Sequence, residues 1–306
     1  MKKDKSEGKV KIGLISEIDL KSPGIKVLYW SLFLILVILA LIAFLPPLWV
    51  MVSSTKDTAE FYAVPPTVIP KSFNLAKLIS IWNDISFGKY YMNTIYVTLG
   101  TIVASITFNG LAGYVLAKLK PRGSTVVFAL LMATMMIPNN VSMVPVYKNI
   151  INFPLLRPFA SLGVDTSLIN TFWPMWMMSA SNIFLIIVFK GFFDGIPTSY
   201  IEAAHLDGCN AVSVFTRVVL PLSKPVIATA SILTVTSAWS DFFWPYMVLK
   251  TRDLSTVIVI VYKLRDSMSV DRFIPVLTFA MLPPMILFMF FQKNIMQGFS
   301  MSGLKG

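Results

Sequence analysis

The chain has 306 residues, 56% of them hydrophobic and only 13% charged, about half the usual charged share of roughly 25%. Its 26 Lys and Arg against 15 Asp and Glu give a formal net charge of +11. These charges lie between long apolar runs rather than in a patch with stacking aromatics, which excludes a nucleic-acid surface and points to anchors at a membrane face. A single cysteine, Cys209, excludes an internal disulfide framework and a thiolate metal cluster.

Residues 1–24 read as a lysine-rich cytoplasmic tail with too little apolar surface to fold alone. The first uncharged run, 27–52, starts too late, is too long for a secretory signal and has no small-residue cleavage site, so it is expected to stay as an anchor. Pro46-Pro47 are expected to mark its outer end. Residues 53–89 follow as an external segment, within which 73–85 carries apolar residues at helical spacing and suits a helix along the membrane surface. Further uncharged runs cover 90–117, 123–147, 166–189 and 273–292, and the run 225–249 is broken only by Asp241. Each is long enough to cross a bilayer, which takes about 20 residues. The expected fold is therefore all-α and membrane-integral, with about six spans in a domain over 25–292 and a C-terminal tail over 293–306. Gly298, Gly303 and Gly306 make that tail a poor helix former by itself.

Between the fourth and fifth spans lies a polar loop, 190–224. Pro197 stops the preceding segment, and Ser199 with Glu202 three residues later has the form of a capping box. Ala203 and Ala204 favour helix and leave a low surface for close approach. Gly208 permits a left-handed turn, and Asn210 can cap a second helix whose apolar face is Val214, Phe215, Val218 and Val219, closed by Pro221. Helix, tight turn, helix is thus expected. Lys118, Lys120 and Arg122 crowd the link before the third span, and seven lysines precede the first. Lys and Arg favour the cytoplasmic side, which places both termini and the 190–224 loop inside.

The spacing Glu202-Ala203-Ala204-x3-Gly208-x9-Val218-x-Leu220-Pro221 resembles the EAA loop of membrane subunits of ABC importers. From about Asn93 onward the chain resembles carbohydrate-type permeases of the maltose-transporter class. Asn93-Thr94, Pro145, Gly191-Phe192-Phe193-x-x-Ile196-Pro197, Trp239-Ser240-Asp241-Phe242-x-Trp244-Pro245 and the Gly298-Phe299-Ser300 tail carry that likeness. Ser240 stands where the family usually has Asn, Cys209 where Ala is common, and Met301-Ser302 replace smaller residues. The resemblance implies a permease subunit in a bacterial or archaeal inner membrane. It would pair with a sister permease, two ATPase subunits and an external solute-binding protein, with lipid around it. It implies docking on the ATPase through Glu202, Ala203, Ala204, Asp207, Gly208, Leu220 and Pro221, and a C-terminal tail reaching between the ATPases. The chain itself has no Gly-x4-Gly-Lys-Ser/Thr phosphate loop, so ATP would be bound and hydrolysed by the partner.

Five residues are candidates for a solute path. Asn139 and Asn140 follow Pro138 within the third span, where they also suit helix-to-helix hydrogen bonding. Asp241 is the only acid within a span, ~24 Å along it at 1.5 Å per residue, which suits a pathway or an interfacial anchor. Trp239 and Trp244 can stack on sugar rings or join the aromatic belt, the reading preferred here. No nucleophile, base and orienting group converge, and His205 is the sole histidine, so neither an enzyme nor a metal site is expected. A permease for a non-carbohydrate solute is the first alternative. An ion-coupled transporter is the second, but it would want intramembrane acids and internal repeats.

Overall fold

The structure is a computed structural model that describes residues 22–302, with the side chains of Asn139 and of residues 293–302 excepted. The lysine-rich tail over 1–21 and residues 303–306 lie outside the described residues. Among the described residues there is helix and no strand.

Helix α1, Pro23–Ser54, is apolar on every side and exposed along most of its length, as a helix facing lipid should be. It runs through Pro46 and Pro47 rather than ending there. The apolar sequence continues to Val52, and a membrane helix tolerates proline where neighbours compensate the missing donors. Next comes α2, Leu75–Asp84, capped by Asn74, whose side chain accepts from Lys77 N. It packs by Ile81, Leu78 and Trp82 onto a cluster with Phe87, Tyr90, Val276 and Phe279, so the expected surface helix is also part of a core.

Helix α3, Phe87–Leu119, is the axis of the fold. It carries two π turns, Ser105–Asn109 and Val115–Leu119. Phe87 sits in the cluster just described, and Tyr114 sits in a second cluster with Phe189, Phe193, Val214 and Val219. Twenty-seven residues of helix separate them, ~40 Å at 1.5 Å per residue.

The third expected span is two helices, α4 (Ser124–Thr134) and α5 (Asn139–Ile151). Pro138 cannot donate to the carbonyl four residues back and disfavours helix in the residue before it. The chain tightens instead, with Met135, Met136 and Ile137 each donating to the carbonyl three residues earlier. Pro145, expected at the end of the span, lies inside α5. The fourth span is the bent pair α6 (Trp173–Ala180) and α7 (Ile183–Asp194), at 42°. Then come α8 (Thr198–Leu206) and α9 (Ala211–Leu222), and a 74° bend leads into α10, Lys224–Ser240. Short helices α11 (Phe243–Val248) and α12 (Val257–Leu264) precede α13, Val270–Ser302. Among the described residues three helices are long and apolar enough to cross a membrane alone, or up to five segments with the bent pairs. Helix α13 continues through 293–302, where the sequence read a tail unable to hold a helix by itself.

Asn93 and Thr94 prove to be staples. Asn93 Nδ2 donates to the carbonyls of Asp253 (2.7 Å) and Ser255 (3.0 Å), and Thr94 Oγ1 accepts from Val257 N at 2.9 Å. They fix the segment before α12 to the start of α3.

Candidate functional site

Two regions of the molecule offer chemistry, a helical hairpin at one end of α3 and a cavity beside its middle. The hairpin is α8 and α9. Gly208 joins them at φ +81°, the left-handed conformation that costs glycine nothing. The turn is closed by Cys209 N donating to Ala204 O and Gly208 N to His205 O, both at 3.0 Å. Asn210 caps α9, its Oδ1 accepting from Ser213 N at 2.8 Å.

The start of α8 differs from the expected capping box. The helix begins at Thr198, so Pro197 occupies the cap position and offers no side-chain acceptor. Ser199 is in the first turn and caps nothing, and Glu202 is exposed with no intrachain partner among the described residues. The two alanines also divide. Ala203 is exposed, whereas Ala204 is 7% exposed and packs in the core with Val214 and Val219. Pro221 lies within α9, whose end is set by the sharp bend at Ser223. Asp207, Leu220 and Pro221 are exposed. The sequence reading missed Leu206 and Val212, which are 89% and 71% exposed at the tip. Large apolar side chains held out beside an exposed carboxylate suit a protein partner. An apolar residue directly before the glycine turn was the signal available.

The hairpin is seated on the membrane helices by aromatics. Tyr114 of α3 meets Phe215 at 4.9 Å and Phe193 at 5.8 Å between ring centroids. Lys118 Nζ donates to Ile196 O at 2.6 Å, which ties the end of α3 to the turn that enters α8. Gly113 lets α7 approach closely, since a Cβ there would fall 2.7 Å from Phe189 Cβ and 2.9 Å from Lys190 N.

The cavity measures about 700 Å³ and opens between α3, α5, α6, α7 and α10. Its polar lining includes Thr101, Ser179, Asn182, Thr234 and Ser237, and Asp241 is its one charged residue among the described residues. Asp241 ends α10 in extended conformation and faces the backbone N–H groups of Phe243 and Trp244 at the start of α11. Trp244 also lines the cavity. The other candidates do not meet there. Trp239 is 7% exposed, turns to the opposite side of α10 and packs edge-on against Tyr91 at 5.8 Å. Asn140 is exposed at the start of α5, outside the cavity lining. The side chain of Asn139 is outside the described residues. A second recess of about 370 Å³, between α1 and Val68, is lined by aliphatic residues and Trp49, with no carboxylate, amide or hydroxyl side chain among them. Sequence reasoning missed the small hydroxyl residues Thr101, Ser142, Ser179, Ser181, Thr234 and Ser237, which look unremarkable in apolar runs.

Comparison with known proteins gives a consistent result. The family described as "Binding-protein-dependent transport system inner membrane component" matches residues 109–300. The "Arabinooligosaccharides transport system permease protein AraQ" of Bacillus subtilis (strain 168) is 28% identical over 93% of this chain and 99% of its own length. The "Probable ABC transporter permease protein YurM" of the same organism is 30% identical over 85% of this chain and 83% of its own. Among solved structures, a chain of a bacterial ABC transporter involved in the import of the acidic polysaccharide alginate superposes with a TM-score of 0.77 at 24% identity, covering 89% of this chain and 98% of that one.

Proposed function

This chain belongs to the family of inner membrane components of binding-protein-dependent transport systems, and from that membership together with the cavity we propose that it lines half of the path of an uncharged saccharide. It is a multi-pass membrane permease of the ABC importer type, a transport component rather than an enzyme. The observation that carries the solute class is the cavity lining, which combines apolar residues with hydroxyl and amide groups and one carboxylate, Asp241, and has no Lys or Arg among the described lining residues. A carboxylate accepts hydrogen bonds from sugar hydroxyls and repels an anion in a low-dielectric site. Trp244 offers a face for a sugar ring. The printed function of AraQ supports an oligosaccharide. The alginate importer favours an acidic solute, and Asp241 argues against that second reading.

The remaining parts of the reading come from the family and the exposed hairpin. A sister permease completes the path, an external binding protein delivers the solute, and two ATPase subunits bind and hydrolyse ATP. Residues Glu202, Ala203, Asp207, Gly208, Leu220 and Pro221 dock on an ATPase from the cytoplasm, joined by Leu206 and Val212, while Ala204 supports them from beneath. Both termini are cytoplasmic in this reading, and residues 293–306 lie near the ATPases. The test is solute uptake by the full complex in proteoliposomes, with neutral and uronate oligosaccharides of equal length as competitors. Neutral uptake with weak uronate competition supports the reading. Preferred uptake of the uronate, or none of either, overturns it.

A further inference from the structure

We propose that Asn109 is a positioning residue, the pin of a hinge that lets α7 turn against α6 when the hairpin moves. The proposal rests on the transport reading above. Its basis is one fully buried amide that serves two irregular helices at the same level. Asn109 ends the π turn Ser105–Asn109 of α3. Its Nδ2 donates to Ser105 Oγ at 3.0 Å and to Ser179 O at 2.9 Å, and its Oδ1 accepts from Asn182 N at 3.0 Å. Ser179 and Asn182 flank the break between α6 and α7. A broken helix at membrane depth leaves backbone groups unpaired, and that arrangement persists only where neighbouring protein or a cavity satisfies them. Asn109 is that neighbour. Asn182 completes the break by capping α7, its Oδ1 accepting from Leu185 N at 3.2 Å.

The two halves of the span are clamped to α3 on either side of this point. Before the break, Trp176 fills the space over Gly100 and donates from Nε1 to Val97 O at 3.2 Å, and Ser179 Oγ donates to Thr101 O at 2.9 Å. Beyond it, Gly113 receives Phe189 and Lys118 holds Ile196. Neither α6 nor α7 can slide freely on α3. A relative turn is therefore confined to the break and to the π turn beside it, a feature often found where helices bend for function. Helix α7 leads through Ile196 and Pro197 directly into α8. Ser179 and Asn182 also line the cavity, and Thr234 Oγ1 lies 3.4 Å from Ser105 Oγ, which brings α10 into the same layer. Displacement of the hairpin thus tilts α7 about Asn109 and reshapes the cavity wall.

The test uses the full complex in proteoliposomes with Asn109→Leu, which keeps the branched shape and the number of heavy atoms and removes the three hydrogen bonds. Assembly and ATP hydrolysis are expected to stay within about twofold of wild type, while solute taken up per ATP falls about tenfold, the scale set by losing two interhelical hydrogen bonds. Unchanged uptake per ATP overturns the proposal. So does a parallel fall of uptake and hydrolysis that tracks the amount of assembled complex, which is what a merely structural residue would give. If the variant does not assemble, amide exchange in the wild-type complex decides. Residues 180–184 are expected to change protection by about tenfold between nucleotide-free and ATP-trapped states, while 174–178 and 187–193 do not. Equal protection in the two states overturns the hinge. A failure of the transport reading is seen separately, as wild-type complex that takes up no saccharide while the exchange contrast persists.

Discussion

Replacing Gly208 in the series Asn, Ala, Val separates the backbone requirement of the hairpin turn from any steric one. The glycine has φ +81°, and a Cβ added there would meet nothing within 4 Å. The cost of a side chain is therefore the cost of the left-handed backbone alone. That is about 1–2 kcal/mol for an ordinary residue, less for Asn and more for a β-branched one. At 1.4 kcal/mol per tenfold, the native turn becomes roughly five- to thirtyfold less favoured in Gly208→Ala, further reduced in Gly208→Val, and nearly retained in Gly208→Asn. The membrane helices do not depend on the turn, so each variant should insert normally. The assay is ATPase affinity for the permease pair in nanodiscs, with apparent Kd rising in the order Gly, Asn, Ala, Val. Equal affinity across the series would refute the reasoning, because it would mean that the tip geometry does not matter to docking.

Further expectations follow from the same geometry. Glu202→Gln should leave thermal stability unchanged, since the carboxylate has no intrachain partner among the described residues, yet lower solute-stimulated ATP hydrolysis; a silent variant in the reconstituted complex removes Glu202 from the interface. Ser199→Ala should be silent in both assays because no cap is lost. Gly113→Val should destabilise the packing of α7 by about 1–3 kcal/mol or more, read as a lower Tm of the subunit, because its Cβ meets backbone and Phe189 Cβ inside 3 Å. In the segment between α1 and α2, hydrogen bonds from Asn74 and Ser72 hold the Asp57 carboxyl below its ordinary range, and the Lys71 backbone N–H with the Thr67 hydroxyl does the same for Glu60. A depressed folded-state pKa adds stability above the ordinary carboxylate value of ~4 that is lost as pH falls from there through the lowered folded-state value, so amide protection over 57–74 should drop as pH is taken below about 4 and a flat profile would count against it.

The hairpin was legible because its signals are local. A glycine that must turn, an asparagine three residues before an orphan N–H, and alternating apolar positions in α9 each act within one turn of the chain. Where the reading went astray there, a single residue shifted the frame. Thr198 takes helical backbone immediately after Pro197, so Ser199 enters the first turn and the capping box cannot form. Likewise, which of Ala203 and Ala204 is buried depends on where Val214 and Val219 return in α9, a tertiary fact with no trace in the dipeptide. The split at Pro138 was half visible, since proline announces a kink without saying whether the helix bends or stops.

The cavity was harder to see because apolar runs conceal polarity of small size. Ser179, Ser181 and Asn182 fall within the uncharged run 166–189, and Asn109 falls within 90–117, where a search for charge passes over them. What makes them significant is a coincidence in space: a π turn in one helix set level with a break in another, joined by one amide of the first that satisfies backbone groups of the second. Neither irregularity is dictated by its own segment, for α3 contains no proline and the α6–α7 break contains none either. The break is held by hydrogen bonds with Asn109, and Ser179 Oγ returns one to Thr101 O of α3. Asp241 shows the converse. Its identity as the lone acid of a span was evident from the sequence, but its orientation into the cavity, with Trp244 beside it and Trp239 turned away, follows from the extended residue that ends α10. Trp239 lies inside α10 and keeps its face wherever that helix stops, whereas Trp244 is placed by the turn at Asp241, so the polar wall depends on the helix end as much as on the residues that line it.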